Sequence, residues 1–309
     1  MDEHASVEPL QTYRAVSDSV FALYDAGQQR EALTLLIGAG PELLPWRSEL
    51  AHLRACLHGS LGELDAAMAT LAEAHAAGGW WDPEILLEDD DLASLVGLPE
   101  FATLVESSRQ RWARANAEPD RTGDRLALPS GRARGLLVAL HGAEEVADDA
   151  LATWGPATDL GFVVLAVRSS QRTSPSYRSW PDQQRAAAEI ADALETLSAE
   201  TRSLPLVAGG FSAGGRVALD WARFGTPCDV AGVVAVAPAV RGEPRQSSAR
   251  ALEPALLIVG EDDDLHDDVV AAGQALAASG FRTDVVEGLA HRFPEDFAER
   301  LAAALVPVR

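Results

Sequence analysis

Residues 204–222 read LPLVAGGFSAGGRVALDWA. An apolar, strand-like run enters a cluster of glycines around Ser212 and leaves as an amphipathic helical pattern over Gly214–Phe224. Glycines between a strand and a helix serve three kinds of site, and their spacing tells these apart. A dinucleotide-binding turn needs G-x-G-x-x-G, but counted from Gly209 the third position is Phe211. A phosphate loop needs G-x-x-x-x-G-K-[ST], but counted from Gly210 the last three positions are Gly215, Arg216 and Val217. Both patterns fail. The third, G-x-S-x-G, is met in full by Gly210, Phe211, Ser212, Ala213 and Gly214. A strand turned this sharply into a helix strains the residue at the bend and admits only small neighbours. Ser212 then projects above a sheet, beside the first amides of the helix.

The surrounding sequence supplies that sheet. Apolar runs at 135–140, 162–167, 204–209, 231–238, 255–260 and 281–287 alternate with alanine-rich amphipathic stretches at 181–198, 214–224 and 267–279. Continuous apolar strands separated by helices predict an α/β region with a mainly parallel sheet covered on both faces. The stretch RLALPSGRARGLLVAL (125–140) reads as a β-hairpin that turns at Pro129, Ser130 and Gly131.

A serine hydroxyl needs a base within hydrogen-bond reach, and that base needs an acid to hold its tautomer. Acids follow a strand in ALLIVGEDDD (255–264), and His291 follows the last strand in VVEGLAHRFPEDF (285–297). The chain order is serine, acid, histidine. Asp262 and Asp264 flank Asp263 in the acidic run, and His266 is a rival base three residues from Asp263. His266 reads better as a flank of the next helix.

With these residues in place, the segment 124–309 resembles the α/β-hydrolase superfamily of serine esterases, of the carboxylesterase or dienelactone-hydrolase kind. The resemblance rests on the Ser212 pentapeptide, on G-x-x-D at Gly260–Asp263, and on glycine-hydrophobe-x-histidine at Gly288–His291. It implies a catalytic triad of Ser212, Asp263 and His291. It also implies an oxyanion hole made by the amides of Ala143 and Ala213, after the strand that ends at His141-Gly142. The implied reaction is cleavage of a carboxylic ester, thioesters included, through an acyl-enzyme, with no metal or organic cofactor. His141 itself reads as structural. Glu144 and Glu145 stand where many relatives have glycines or apolar residues, which argues against greasy substrates. The run EDDDLHDD is not a calcium loop, since glycine is missing at the required sixth position.

Up to Asn116 the pattern is helical throughout. AGQQREALTLL (26–36) and LGELDAAMATL (61–71) align at an offset of 35 residues, pairing Gly27 with Gly62, Ala32 with Ala67, Leu33 with Met68 and Leu36 with Leu71. Over residues 13–80 this resembles a tetratricopeptide-type repeat, with Val20 and Ala55 in place of that family's small glycine. Residues 85–115 read as a further helical pair, Trp80–Trp81 as core, and Asp89–Asp91 as a solvated helix entry rather than a metal site. The predicted organisation is a helical domain 1–116, a linker 117–125 and a catalytic domain 126–309. The helical part is a candidate surface for a protein partner or for self-association. A scaffold protein with a vestigial hydrolase domain is the alternative to an enzyme.

Composition narrows the field further. An apolar fraction of 47% over 309 residues suffices for a buried core, and a formal charge of −22 disfavours nucleic acid and anionic membranes. The acidic start MDEHASVEP lacks the features of a secretory signal, so a soluble, cytoplasmic protein is expected. Cys56 and Cys228, far apart in sequence, read as two buried thiols. The loop VRSSQRTSPSYRSWPD (167–182) forms a basic and aromatic island. Arg168, Arg172, Tyr177 and Trp180, together with Arg178, are candidates for substrate contact; the competing reading pairs the arginines with neighbouring acids.

Overall fold

The computed structural model describes residues 7–117, 120, 123–240 and 252–306. Contacts divide the chain into two compact units. One comprises residues 1–118 with 172–177; the other comprises 119–171 with 178–309. The tip of the loop at 167–182 thus belongs to the helical unit, whereas the sequence reading placed all of 126–309 in the catalytic domain.

The helical unit opens with two hairpins, α1 (Val7–Asp25) with α2 (Gln29–Ile37) and α3 (Arg47–Ser60) with α4 (Leu64–Ala76). Gly27 and Gly62 make the turns at matching left-handed angles, φ 71° and 73°. Of the aligned positions, Ala32 and Ala67 are fully buried and Leu36 and Leu71 lie in the core, whereas Leu33 is buried and Met68 is half-buried. The repeat is therefore a repeat of helical hairpins. Next come α5 (Pro83–Glu88), a 3-10 segment at Asp90–Leu95 and α6 (Pro99–Asn116), the additional helical elements the sequence predicts. Trp80 and Trp81 are buried, and the Trp81 indole N–H donates to the Ser48 carbonyl at 2.9 Å.

The second unit is a seven-stranded sheet. Its strands are β1 (Arg125–Ala127), β2 (Gly135–Leu140), β3 (Phe162–Val167), β4 (Leu206–Phe211), β5 (Gly232–Val236), β6 (Ala255–Gly260) and β7 (Arg282–Val286). They lie in the order β1-β3-β2-β4-β5-β6-β7, all parallel except β1. The crossovers carry α7 (Ala147–Trp154), α8 (Gln183–Glu195), α9 (Ala199–Arg202), α10 (Ser212–Phe224) and α11 (His266–Leu276), and α12 (Phe297–Leu305) follows β7. Alternate residues of β2 enter opposite cores: Leu136, Val138 and Leu140 join one buried cluster, Leu137 and Ala139 the other. Both faces are covered at β2–β6, which is why those strands read as unbroken apolar runs.

The expected hairpin at 125–140 is a correction. β1 pairs antiparallel with β3, Leu126 opposite Leu165, and not with β2. β2 is already bonded on one side to β3 and on the other to β4, so it has no free edge. β1 takes the exposed edge of β3 instead. Among the described residues no helix is long and apolar enough to cross a membrane.

Candidate active site

Because β3 and β4 lie on opposite sides of β2, the strand order reverses between β2 and β4. In open α/β sheets the crevice at such a reversal, beyond the carboxyl ends of the strands, is where ligands are held. Two loops open there: His141–Val146 after β2, and the β4–α10 junction at Ser212.

Ser212 has φ 49°, a left-handed backbone that a non-glycine residue adopts only under constraint. The constraint is visible in the neighbours. An added Cβ at Gly214 would overlap the His141 and Leu140 carbonyl groups, and one at Gly210 would lie 2.5 Å from the Gly214 carbonyl carbon. Strand and helix meet with no room for a methyl.

The acid and the histidine arrive from β6 and β7. The end of β6 is pressed against the loop after β7, so that a Cβ on Gly260 would lie 2.6 Å from the Leu289 carbonyl carbon. The Asp262 N–H donates to the Leu289 carbonyl at 3.0 Å, and the Glu261 N–H to the Val286 carbonyl at 2.9 Å. Asp263 accepts the Leu265 N–H at 2.8 Å, which fixes its carboxylate. The His291 Nδ1–H then reaches the two Asp263 oxygens at 3.0 and 3.1 Å, and Nε2 accepts the Ser212 hydroxyl at 3.0 Å. The Asp263 side chain has no exposed surface, whereas that of His291 is 40% exposed. The acid is shielded and the imidazole is open. Of the three acids in the run, Asp263 is the one that meets His291; His266 starts α11 and bonds the neighbouring Asp267.

Sequence reasoning missed the aromatic support of His291. The Phe211 ring packs against the imidazole at 5.0 Å, and Phe293 packs on Phe211 at 4.7 Å. Phe211 is one of the two free positions of the pentapeptide, so its residue type carried no signal in the motif.

After β2, the Gly142 N–H donates to the Glu145 carboxylate at 2.6 Å, and the Glu144 N–H donates to the Arg178 carbonyl at 2.8 Å with Glu144 at φ 68°. The acids that looked out of place thus shape this turn. Ala143, just before them, is exposed. His141 is buried beneath: Nδ1–H donates to the Gly142 carbonyl at 2.7 Å, and Nε2 accepts the Ser169 N–H at 3.1 Å. Trp180, itself fully buried, donates to the His141 carbonyl at 2.8 Å.

Burial pushes the His141 imidazole down to about 4. It is neutral in the fold, while the unfolded chain protonates it near pH 6.5, so its contribution is full above that pH and is lost as the pH falls toward 4. At about 1.4 kcal/mol per pH unit the loss reaches about 3 kcal/mol. In denaturant unfolding from pH 7 to 4.5, wild type should lose 2–3 kcal/mol more than His141→Asn, at about that same rate per pH unit. Parallel pH curves would show that burial leaves this ring free to protonate.

The other loop residues make contacts within their own units. Arg168 pairs with Asp120 at 3.3 Å, and its N–H donates to Asp124; the buried Arg178 pairs with Asp120 at 3.1 Å and donates to the Ser169 carbonyl. In the helical unit, the Arg172 N–H donates to Asn116 and its guanidinium to the Pro175 carbonyl, while Tyr177 meets Tyr13. The arginines at 168 and 178 follow the ion-pair reading.

Two protein families match the chain. One, described as "A/B hydrolase-like, N-terminal domain", covers residues 12–116, and the other, described as "Serine aminopeptidase, S33", covers residues 131–260. The chain is a serine hydrolase of the α/β-hydrolase superfamily. The second match stops at Gly260, so Asp263 and His291 of the hydrolase stand on geometry alone. Among solved structures, the hydrolase is similar to an uncharacterized protein from Bacillus cereus ATCC 10987, at 23% identity and a TM-score of 0.47 over 96% of this chain and 98% of that one. It is also similar to esterase PE8, at 21% identity and 0.48 over 60% and 99%, and to a dienelactone hydrolase from Anabaena variabilis, at 19% and 0.43 over 59% and 89%. No match is found among curated protein sequences.

Proposed function

We propose that the hydrolase cleaves carboxylic esters, thioesters included, with Ser212 as nucleophile, His291 as general base and Asp263 as its orienting acid. The observation that carries this reading is the unbroken chain of hydrogen bonds from the Ser212 hydroxyl through both ring nitrogens of His291 to a fully shielded carboxylate. His291 takes the serine proton as Oγ attacks the carbonyl carbon. The tetrahedral oxyanion is met by the Ala143 and Ala213 amides, each worth about 3–4 kcal/mol of transition-state stabilisation. The imidazolium returns its proton to the leaving group, and water then repeats the sequence on the acyl-enzyme. Asp263 stays ionised and stabilises the imidazolium.

A fluorophosphonate probe tests the nucleophile: the intact hydrolase should be labelled at Ser212, and Ser212→Ala should not be. A matched series of short-chain nitrophenyl esters, acyl thioesters and aminoacyl anilides tests the bond. Turnover of the esters and thioesters is expected. Turnover confined to the anilides would replace the ester reading with a peptidase, and absence of labelling would favour a scaffold with a vestigial site.

A further inference from the structure

Outside the proposed active site, the described residues bring one histidine, one cysteine and one carboxylate together within the helical unit. His52 and Cys56 stand four residues apart on one face of α3, and Asp89 arrives from the segment between α5 and the 3-10 turn. That segment can reach the helix because residue 59, one turn further on the same face, is glycine: a Cβ there would overlap the Asp91 backbone carbonyl. The Asp89 carboxylate is already oriented. Its Oδ1 accepts the Asp91 N–H at 3.0 Å, which leaves Oδ2 to face the other two groups.

The spacings are specific. Cys56 Sγ lies 3.6 Å from His52 Nε2 and 3.2 Å from Asp89 Oδ2, and Nε2 lies 3.4 Å from Oδ2. Zinc bonds to sulfur, nitrogen and oxygen of about 2.0–2.3 Å, set at the tetrahedral angle, put neighbouring donors about 3.4–3.6 Å apart. The three atoms are therefore spaced as three corners of one tetrahedral face, within about 0.4 Å; Sγ also lies 3.9 Å from Nδ1, so the imidazole turns to aim its Nε2 lone pair at the shared point. We propose that His52 Nε2, Cys56 Sγ and Asp89 Oδ2 bind a zinc-class divalent cation, with water at the fourth corner.

The donor chemistry suits that class. One thiolate and one imidazole select zinc, or cobalt in its place, over magnesium and calcium, which take oxygen alone. Cys56 is buried while the His52 and Asp89 side chains are 18% and 25% exposed, so solvent reaches two of the three ligands. The hydroxyl of Tyr24 bonds the Asp91 carboxylate at 3.0 Å alongside, adding a second acid to the surroundings. On binding, the Cys56 S–H bond breaks, the sulfur–metal bond forms, and one proton passes to solvent. The cation would clasp the segment after α5 onto α3. Sequence reading took Asp89–Asp91 for a helix entry, which Asp89 also is; the ligand role appears only once the fold joins two segments 33 residues apart.

Cobalt(II) titration of the chelator-treated full-length chain tests the site. The expected result is one equivalent bound, a near-ultraviolet thiolate-to-cobalt band, visible bands of tetrahedral intensity, and one proton released. Removing even outer-shell partners of a bound metal costs about 10–100-fold in affinity. Asp89→Asn should therefore weaken binding at least 100-fold, about the top of that range, while any residual complex keeps the thiolate band. Cys56→Ser should abolish that band, with circular dichroism checking that the helices remain. Wild type without a thiolate band would overturn the proposal. So would a band that survives Cys56→Ser, which would point to Cys228, or unchanged affinity in Asp89→Asn.

Discussion

Ser212→Ala should lower kcat on a short-chain ester by about 10⁴–10⁶-fold, with KM changed little. The serine oxygen is the only atom of the proposed site that forms a bond to substrate, so its removal leaves oxyanion stabilisation and binding but no acyl-enzyme. His291→Ala should be about as severe, because a neutral hydroxyl without its base is a poor nucleophile. The double variant should be no worse than either single one, since each change already disables the same step. Asp263→Asn should cost about 10⁴-fold by letting the imidazole adopt the wrong tautomer. Active-site titration combined with steady-state rates measures all four. Additive losses in the double variant, or full activity in Ser212→Ala, would place the chemistry on another residue.

These residues could be chosen from the sequence because each is fixed by local geometry. The pentapeptide around Ser212 needs its glycines, and β2–β6 announce themselves as apolar runs because both faces are buried there. Asp263 was separable from Asp262 and Asp264 only by its distance from Gly260, and Gly260 proves to be where β6 touches the loop that carries His291. What the sequence did not disclose was non-local. The turn residues at 129–131 suggested that β1 folds back on β2, yet strand choice depends on which edges are already taken. Residues 172–177 follow a sheet strand but belong with the helices, through bonds such as the Asp82 N–H to the Thr173 carbonyl at 2.7 Å. Cys228 was expected to be buried and is half-buried, four residues past the end of α10, where its carbonyl accepts the Trp221 indole N–H. The metal-type cluster has the same character: the helical spacing of His52 and Cys56 is readable, but the arrival of Asp89 is not.

Gly214→Ala should destabilise the α/β unit by about 3 kcal/mol, at the upper end of overpacking costs. The usual relief, rotation of a flexible side chain, is absent here. The added methyl would lie 2.5 Å from the Leu140 carbonyl oxygen and 2.7 Å from its carbon, and would overlap the His141 carbonyl as well. All three atoms are backbone at the end of β2, which is held by ladders to β3 and β4. Either α10 lifts off the sheet or the end of β2 moves, and both displace Ser212 from the Ala143 turn. Activity should therefore fall along with stability, even below the melting transition. Gly155→Ala serves as the matched control in the same unit. Gly155 has φ −52°, and a Cβ there meets nothing within 4 Å, so the change should stabilise by about 0.4–1 kcal/mol through loss of freedom in the unfolded chain. Denaturant unfolding of the two variants beside wild type measures the contrast. Equal stabilities for the two would mean that the strand–helix approach at Ser212 is looser than the structure requires.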